Sequence, residues 1–429
     1  MSGKDRIQLL TGMHDILPNE QKYYQRIFKA IESIAGFYTC SRIETPILEN
    51  VDLFYKGTGS DTEVVEKQMY SFRTKGGDAV ALRPEWTPSI VRSYIENGMH
   101  TMPQPVKLWY YGPCFRYERP QAGRYRQFNQ FGFEILGDKN PAIDSQVIQM
   151  SYDVLKEAQL KNLVVEINSI GDSECRPRFK KNLTNYFKSR RASLCPDCQR
   201  RLKQNPLRIL DCKEEKCQRI KADAPQIMDC LCETCHNHFK KVLEFLDEGE
   251  IPYKLNPYLV RGLDYYTNTV FEIYEDSPEG RSQGALIGGG RYDTLVKMLG
   301  GRDTPACGSA GGAERVVSVL KTKELKPLKT NEAKVFLAQL GDLAKKKSLK
   351  LLEEFRAAKI QVGETLSDDS LKGQLRKADK LGIRYVLIFG QREALDKEIV
   401  IRDMETGGQE TFKLENVVEE IKKKLKELK

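Results

Sequence analysis

The sequence predicts an α+β protein of several domains: strands and flanking helices at first, then a mostly helical insertion, a return to strand, and a small α/β domain at the end. Three observations carry this. At 429 residues the chain is too long for one hydrophobic core. Composition changes near residue 172, where Arg, Lys and Cys crowd together and strand patterns vanish until about 250. A Lys-rich, Pro-containing stretch, KTKELKPLKTN at 321–331, then separates the last part of the chain. The expected divisions are 1–171 and 251–320 for the two parts of one domain, 172–250 for the insertion, 321–331 for a linker and 332–429 for the last domain.

Taken in order, residues 20–37 read as a helix, because Tyr24, Ile27, Phe28, Ile31, Ile34 and Ala35 recur on one face. Asn19 is the expected cap, just after Pro18. Residues 40–45 and 106–111 read as strands. Gly112 and Pro113 are expected to break the second, and another apolar stretch runs from Phe128 to Leu136, so two strands flank the polar, Arg-rich segment 116–127. Strand-like sequence returns at 258–274, followed by the Gly-rich stretch 284–312. Beyond the linker, VFLAQL, helices near 342–358 and 370–381, YVLIFG, EIVIRD, ETFKL and a terminal helix alternate as in a small α/β domain.

Hydrophobic and charged fractions of 40% and 30% suit a folded chain and not a disordered one. The opening MSGKDRIQLL lacks the apolar core of a signal peptide, and no segment reaches the ~20 apolar residues of a membrane span. A cytoplasmic protein without membrane contact is expected. The net charge of +9 is compatible with a polyanionic partner.

Two common nucleotide-binding signatures, G-x-x-x-x-G-K-[ST] and a strand-to-helix G-x-G-x-x-G, are missing. If ATP binds, side chains must hold its phosphates. FRYERPQAGRYRQF (115–128) offers Arg116, Arg119, Arg124 and Arg126 among Phe115, Tyr117, Tyr125 and Phe128. Guanidinium groups grip phosphates bidentately and aromatic rings stack on bases. The same composition also fits a solvated hairpin loop with incidental arginines.

The order of motifs separates these readings. FYTCSRIETPILEN (37–50), GPCFRYERPQAGRYRQFNQFGFEILG (112–137) and PACGSAGGAERVV (305–317) together resemble the three motifs of the class II aminoacyl-tRNA synthetases. LVRGLDYYTNTVFE (259–272), GGGRYDTLV (288–296), LRPEWTPSIVR (82–92) and GMHDILP (12–18) resemble the histidine enzymes within that class, so the likeness covers essentially the whole chain. The resemblance implies a catalytic domain built on an antiparallel sheet with flanking helices, a helical insertion and a C-terminal α/β anticodon-binding domain. It also implies a homodimer built on the first motif, with Pro46 at the interface. The implied substrates are L-histidine, ATP with Mg²⁺, and tRNA(His).

Residue roles follow from the same resemblance. Arg116 and Arg261 are the catalytic pair, meeting the α-phosphate from two sides, and Arg116 also holds the histidine carboxylate. Phe128 and Arg315 sandwich adenine, with Arg124 near the phosphates or the tRNA end. Glu85, Thr87 and Gln130 bind the substrate amino group. Glu134 and Tyr266 hydrogen-bond the imidazole, and Tyr265 and Tyr292 wall the pocket. The roles suit the chemistry: charge builds on the in-line transition state at the α-phosphorus, and imidazole offers two nitrogens for a carboxylate and a hydroxyl. Ser309 and Ala313 replace larger apolar residues usual in the third motif, and Asn129 stands where histidine is usual; all are expected in the ATP wall, as are Cys114 and the Tyr110–Tyr111 pair.

Seven of the 11 cysteines fall between 195 and 235. Cys195-Pro-Asp-Cys198 and Cys232-Glu-Thr-Cys235 are C-x₂-C pairs, and together they could make a tetrahedral structural zinc site. Cys212 and Cys217 could replace one pair or complete a second site, with His236 and His238 in reserve. Reduced thiols on helices are the alternative.

Overall fold

The computed structural model describes residues 7–60, 62–323, 333–367 and 370–428. The expected linker therefore lies, from residue 324 onward, outside the described residues. The chain forms two compact units, Met1–Lys326 and Pro327–Lys429.

An eight-stranded sheet organises the first unit. Its order is Ser41–Arg42, Val106–Phe115, Gln127–Leu136, Ala306–Gly312, Ile287–Arg291, Thr267–Glu275, Leu163–Ser169 and Tyr253–Leu255. The six inner strands run antiparallel, and the short strand at each edge pairs parallel with its neighbour. Alternation along Gln127–Leu136 sorts side chains to two faces. Phe131, Phe133 and Ile135 join one core with the helices Gln21–Phe37, Pro141–Glu157 and Glu233–Glu248. Glu134 faces the other way, toward the helix Thr87–Glu96 and a core containing Trp86, Tyr110, Tyr265, Tyr266 and Tyr292. The site lies on that second face.

Several local expectations change. The first helix is Gln21–Phe37 with Glu20, not Asn19, at its N-cap and no side-chain capping bond; the Leu17 carbonyl accepts from the N–H groups of Glu20 and Gln21 instead. The strand expected at 40–45 pairs only at Ser41–Arg42. Gly112 and Pro113 do not break their strand, which runs on to Phe115. The N–H of Phe115 bonds the Arg83 carbonyl outside the sheet, so Pro113, two residues earlier, also turns its nitrogen outward. The neighbouring edge strand has already ended there, and no ladder bond is lost. Of the strand expected at 258–274 only Thr267–Glu275 pairs; residues before it form a loop that carries Arg261, Tyr265 and Tyr266 to the site.

Between Cys175 and Glu248 the described residues form four α-helices, Cys175–Lys188, Pro196–Gln204, Glu215–Lys221 and Glu233–Glu248, joined by 3₁₀ turns and without a strand. Their small core mixes Phe179, Leu183, Phe187 and Ile209 with five cysteines: Cys195, Cys198, Cys212, Cys217 and Cys230.

The second unit holds a five-stranded mixed sheet, in the order Val362–Glu364, Val335–Gln339, Tyr385–Phe389, Glu398–Asp403 and Gln409–Lys413. Its central strands are covered on both faces: Val335, Leu337 and Phe389 pack in one core, Phe336, Ala338 and Val386 in another. This is why they read as continuous apolar runs.

Candidate active site

Glu134 sits at the floor of the site, 1% exposed. Its Oε1 accepts from Thr87 Oγ1 at 2.7 Å, and its Oε2 accepts from the Tyr292 hydroxyl. Burial pushes its carboxyl up to about 8, against the pull of those two donors. The strand Ala306–Gly312 passes beside it at Gly308, where any Cβ would collide with Glu134 Oε2; glycine is required for the carboxylate to lie there.

Glu85 is buried beside this group. Thr58 Oγ1 donates to its Oε1 at 2.6 Å and the Tyr265 hydroxyl to its Oε2 at 2.7 Å. Burial raises its pKa, opposed by those bonds and by the positive charges of Arg116 and Arg261. Gln130 Oε1 accepts the Trp86 N–H at 3.1 Å, which ties the Gln127–Leu136 strand to the segment carrying Glu85 and Thr87. The Tyr265 ring lies 4.7 Å from that of Tyr266 and 5.7 Å, edge-on, from that of Tyr292. All seven residues expected around histidine, apart from the arginines, thus surround one small region.

The arginines rim it. Arg116 Nε donates to the Pro84 carbonyl at 2.8 Å, and its guanidinium stands 5.4 Å from the Phe128 ring. Arg261 pairs with Glu272 and lies flat over Gly288, where a Cβ would displace it. Burial works against its charge, but Glu272 together with Tyr266, Tyr265 and Tyr274 outweighs that and raises its pKa. Arg315 donates to the Ala285 carbonyl at 2.9 Å. Burial, and the positive charges of Arg124 and Arg116, push its guanidinium down to about 10. The N-terminal motif packs against the same arm: the His14 ring stacks on Tyr125 at 3.9 Å, and Gly12 accepts the Arg126 N–H at 2.7 Å.

The histidyl-tRNA synthetase family profile matches residues 12–173 and 194–316, and a profile described as anticodon binding domain matches 329–424. The chain belongs to the histidyl-tRNA synthetase family. A histidine–tRNA ligase from Pelotomaculum thermopropionicum is 42% identical over 414 residues, covering 96% of this chain and 97% of that protein. One from Desulforamulus reducens is 43% identical over 407 residues, covering 95% and 97%. The crystal structure of apo histidyl-tRNA synthetase from S. aureus is similar with a TM-score of 0.80 at 36% identity, covering 96% of this chain and 99% of that one. The fold is accordingly that of a class II synthetase with a C-terminal anticodon-binding domain, and the chain is an ATP-dependent aminoacyl-tRNA ligase.

Two expectations are corrected. Ser309 and Ala313 do not stand in the ATP wall. Ser309 Oγ accepts from Ser151 Oγ at 2.8 Å on the opposite face, and Ala313 joins the core there, so small residues at both positions answer helix packing. Cys195 and Cys198 do not meet Cys232 and Cys235. The first pair gathers with Cys212 and Cys217, and the second with Asp172 and Cys175, because the backbone N–H of Cys232 is bonded to Cys175 Sγ at 3.0 Å. His238 is 3.4 Å from Asp144 and His236 is exposed, so neither joins a cysteine group.

The sequence reading missed Thr58, Glu272 and Arg176. Glu272 ends the quoted stretch 259–272 and was visible there as a motif residue. Thr58 carried no signal. Arg176 donates to the backbone carbonyl of Tyr266 from the insertion's first helix, a contact that only the fold creates.

Proposed function

We propose that the chain activates L-histidine with ATP, entering as its magnesium complex, to histidyl-adenylate and pyrophosphate, and then passes histidine to the terminal ribose of tRNA(His), releasing AMP. The observation that carries the reading is Glu134: a buried carboxyl group packed among Tyr265, Tyr266 and Tyr292 offers acceptor oxygens to a small polar ring with an N–H. Glu134 and Tyr266 hold the two imidazole nitrogens. Glu85, Thr87 and Gln130 take the amino group. Arg116 and Arg261 draw the carboxylate and the α-phosphate together and balance the charge that develops as the carboxylate oxygen attacks phosphorus and the pyrophosphate bond breaks. Phe128 and Arg315 clasp the adenine, and Arg124 meets the outer phosphates.

The second unit reads the anticodon, and the protein works in the cytoplasm as a homodimer. The dimer is supported by the exposed Ile47 and Leu48 next to Pro46, and by the exposed Phe72, which shares with Leu48 a three-stranded sheet of Leu48–Asn50, Ala79–Leu82 and Tyr70–Arg73. No described helix is long and apolar enough to cross a membrane. Structural zinc on the insertion's cysteines completes the reading. Aminoacylation tests it: the full chain with ATP, magnesium and tRNA(His) should charge histidine and no other amino acid. Charging of a different amino acid, or of none, contradicts it.

A further inference from the structure

The ligand atoms of Cys195, Cys198, Cys212 and Cys217 all lie within 4.8 Å of one another, and so do those of Asp172, Cys175, Cys232 and Cys235. Every described cysteine is a free thiol. The Sγ atoms of Cys195 and Cys212 are 3.9 Å apart. A disulfide needs about 2.05 Å. Thiolates about 2.3 Å from one zinc ion stand about 3.8 Å apart at tetrahedral angles. The spacing therefore suits a shared ion.

Both groups are built alike. In the first, Cys195 precedes the helix Pro196–Gln204 and Cys198 lies in its first turn, and backbone N–H groups already point at sulfur: Cys198 to Cys195 Sγ at 3.4 Å, Cys195 to Cys217 Sγ at 3.3 Å. Such donors stabilise thiolate charge. In the second, two helix starts meet. Asp172 and Cys175 open Cys175–Lys188, where the chain enters the insertion; Cys232 and Cys235 open Glu233–Glu248, where it leaves. Asp172 Oδ1 is fixed by the N–H groups of Glu174 at 2.9 Å and Cys175 at 3.1 Å.

We propose that the insertion binds two zinc ions, an interior one on Cys195, Cys198, Cys212 and Cys217, and a second at its neck on Asp172, Cys175, Cys232 and Cys235, which fastens the insertion to the catalytic domain. The interior site supplies folding energy that a core of this size lacks, and thiol protons leave to solvent as each ion binds. The neck site acts on the active site as well. Arg176, the residue after Cys175, holds the backbone carbonyl of Tyr266, so the neck ion fixes the helix turn that positions this tyrosine. The ligands around each ion are satisfied by protein atoms alone, which makes both sites structural.

Metal analysis of the full chain, purified without chelator under reducing conditions, tests this. Two equivalents of zinc per chain are expected. Cys198→Ser and Cys235→Ser should each retain one, and Cys235→Ser alone should raise KM for histidine several-fold. Should either variant fail to fold, the wild-type chain stripped by chelator and titrated with zinc alone should take back two equivalents. Less than a tenth of an equivalent with no uptake on titration overturns the proposal. So does iron with sulfide in place of zinc. A single equivalent that survives Cys235→Ser overturns the neck site.

Discussion

Thr87 Oγ1 donates to Glu134 Oε1 at 2.7 Å, joining the first turn of a helix to the strand beneath it at the point where the pocket ends. Because Tyr292 donates to the other oxygen, the carboxylate is held from both sides and its orientation is set before any ligand arrives. Glu134→Gln keeps the shape and replaces one carboxyl oxygen by an amide nitrogen that can only donate. It should weaken histidine far more than ATP, by ~1–3 kcal/mol, the cost of leaving a buried ring N–H without its acceptor. Separate titrations of the two ligands measure this; equal losses would make Glu134 a structural residue only.

The same residue makes stability depend on pH. Burial lifts its carboxyl from 4.5 to about 8, so the folded chain keeps the proton longer than the unfolded chain does. Its contribution is complete below 4.5 and is lost as pH rises through about 8. Glu134→Gln cannot ionise. Its stability relative to the parent should therefore climb between those values and level off above them, by an amount on the order of a few kcal/mol. Denaturant melts at pH 5, about 7 and about 9 would show the trend, and a constant difference would refute it.

Arg261→Ala should leave histidine binding largely intact and slow adenylate formation ~10²–10³-fold, the usual cost of one donor to transition-state charge. Arg261 pairs with Glu272 and lies over Gly288, and these two contacts hold its guanidinium in place. Rapid-quench measurement of the first turnover reads the step directly. An unchanged rate would remove Arg261 from the catalytic pair.

Arg291 and Asp144 form a buried ion pair away from the pocket. Arg291 Nε is 3.0 Å from Asp144 Oδ2, and both side chains are at most 1% exposed. Asp144→Ala leaves the guanidinium with Asp293, 3.1 Å away, as its remaining carboxylate partner, and should cost about 3–5 kcal/mol. Thermal denaturation should show a large loss, whereas a change under ~1 kcal/mol would mean that solvent or Asp293 compensates.

Removing 327–429 should spare adenylate formation and impair tRNA charging, since these residues form a compact unit with its own two-sided core. Normal charging by the folded truncated chain would assign the unit another role.

What the sequence disclosed follows from how local each signal is. The last unit's central strands were legible because burial on both faces writes itself as unbroken apolar runs, and Gln21–Phe37 because one buried face repeats along it. Val362–Glu364 was too short to leave a pattern. Pro113 misled because its tolerance depends on where a neighbouring strand ends, which is a tertiary fact. The site residues were found through motif order. Their partners Thr58 and Arg176 come from distant segments, and the fold alone brings them to Glu85 and Tyr266, whereas Glu272 lies in the same stretch as Arg261. Cysteine spacing revealed the two C-x₂-C pairs but not which groups they would join, because that depends on how four helices pack.

Histidine selection at this site and arginine-driven attack on the α-phosphorus stand or fall together. Histidine-dependent exchange of pyrophosphate into ATP by the full chain, without tRNA, measures both at once. Brisk exchange is expected with histidine, none with other amino acids, and none in Arg116→Ala. No exchange with histidine from folded protein, or equal exchange with other amino acids, would contradict it.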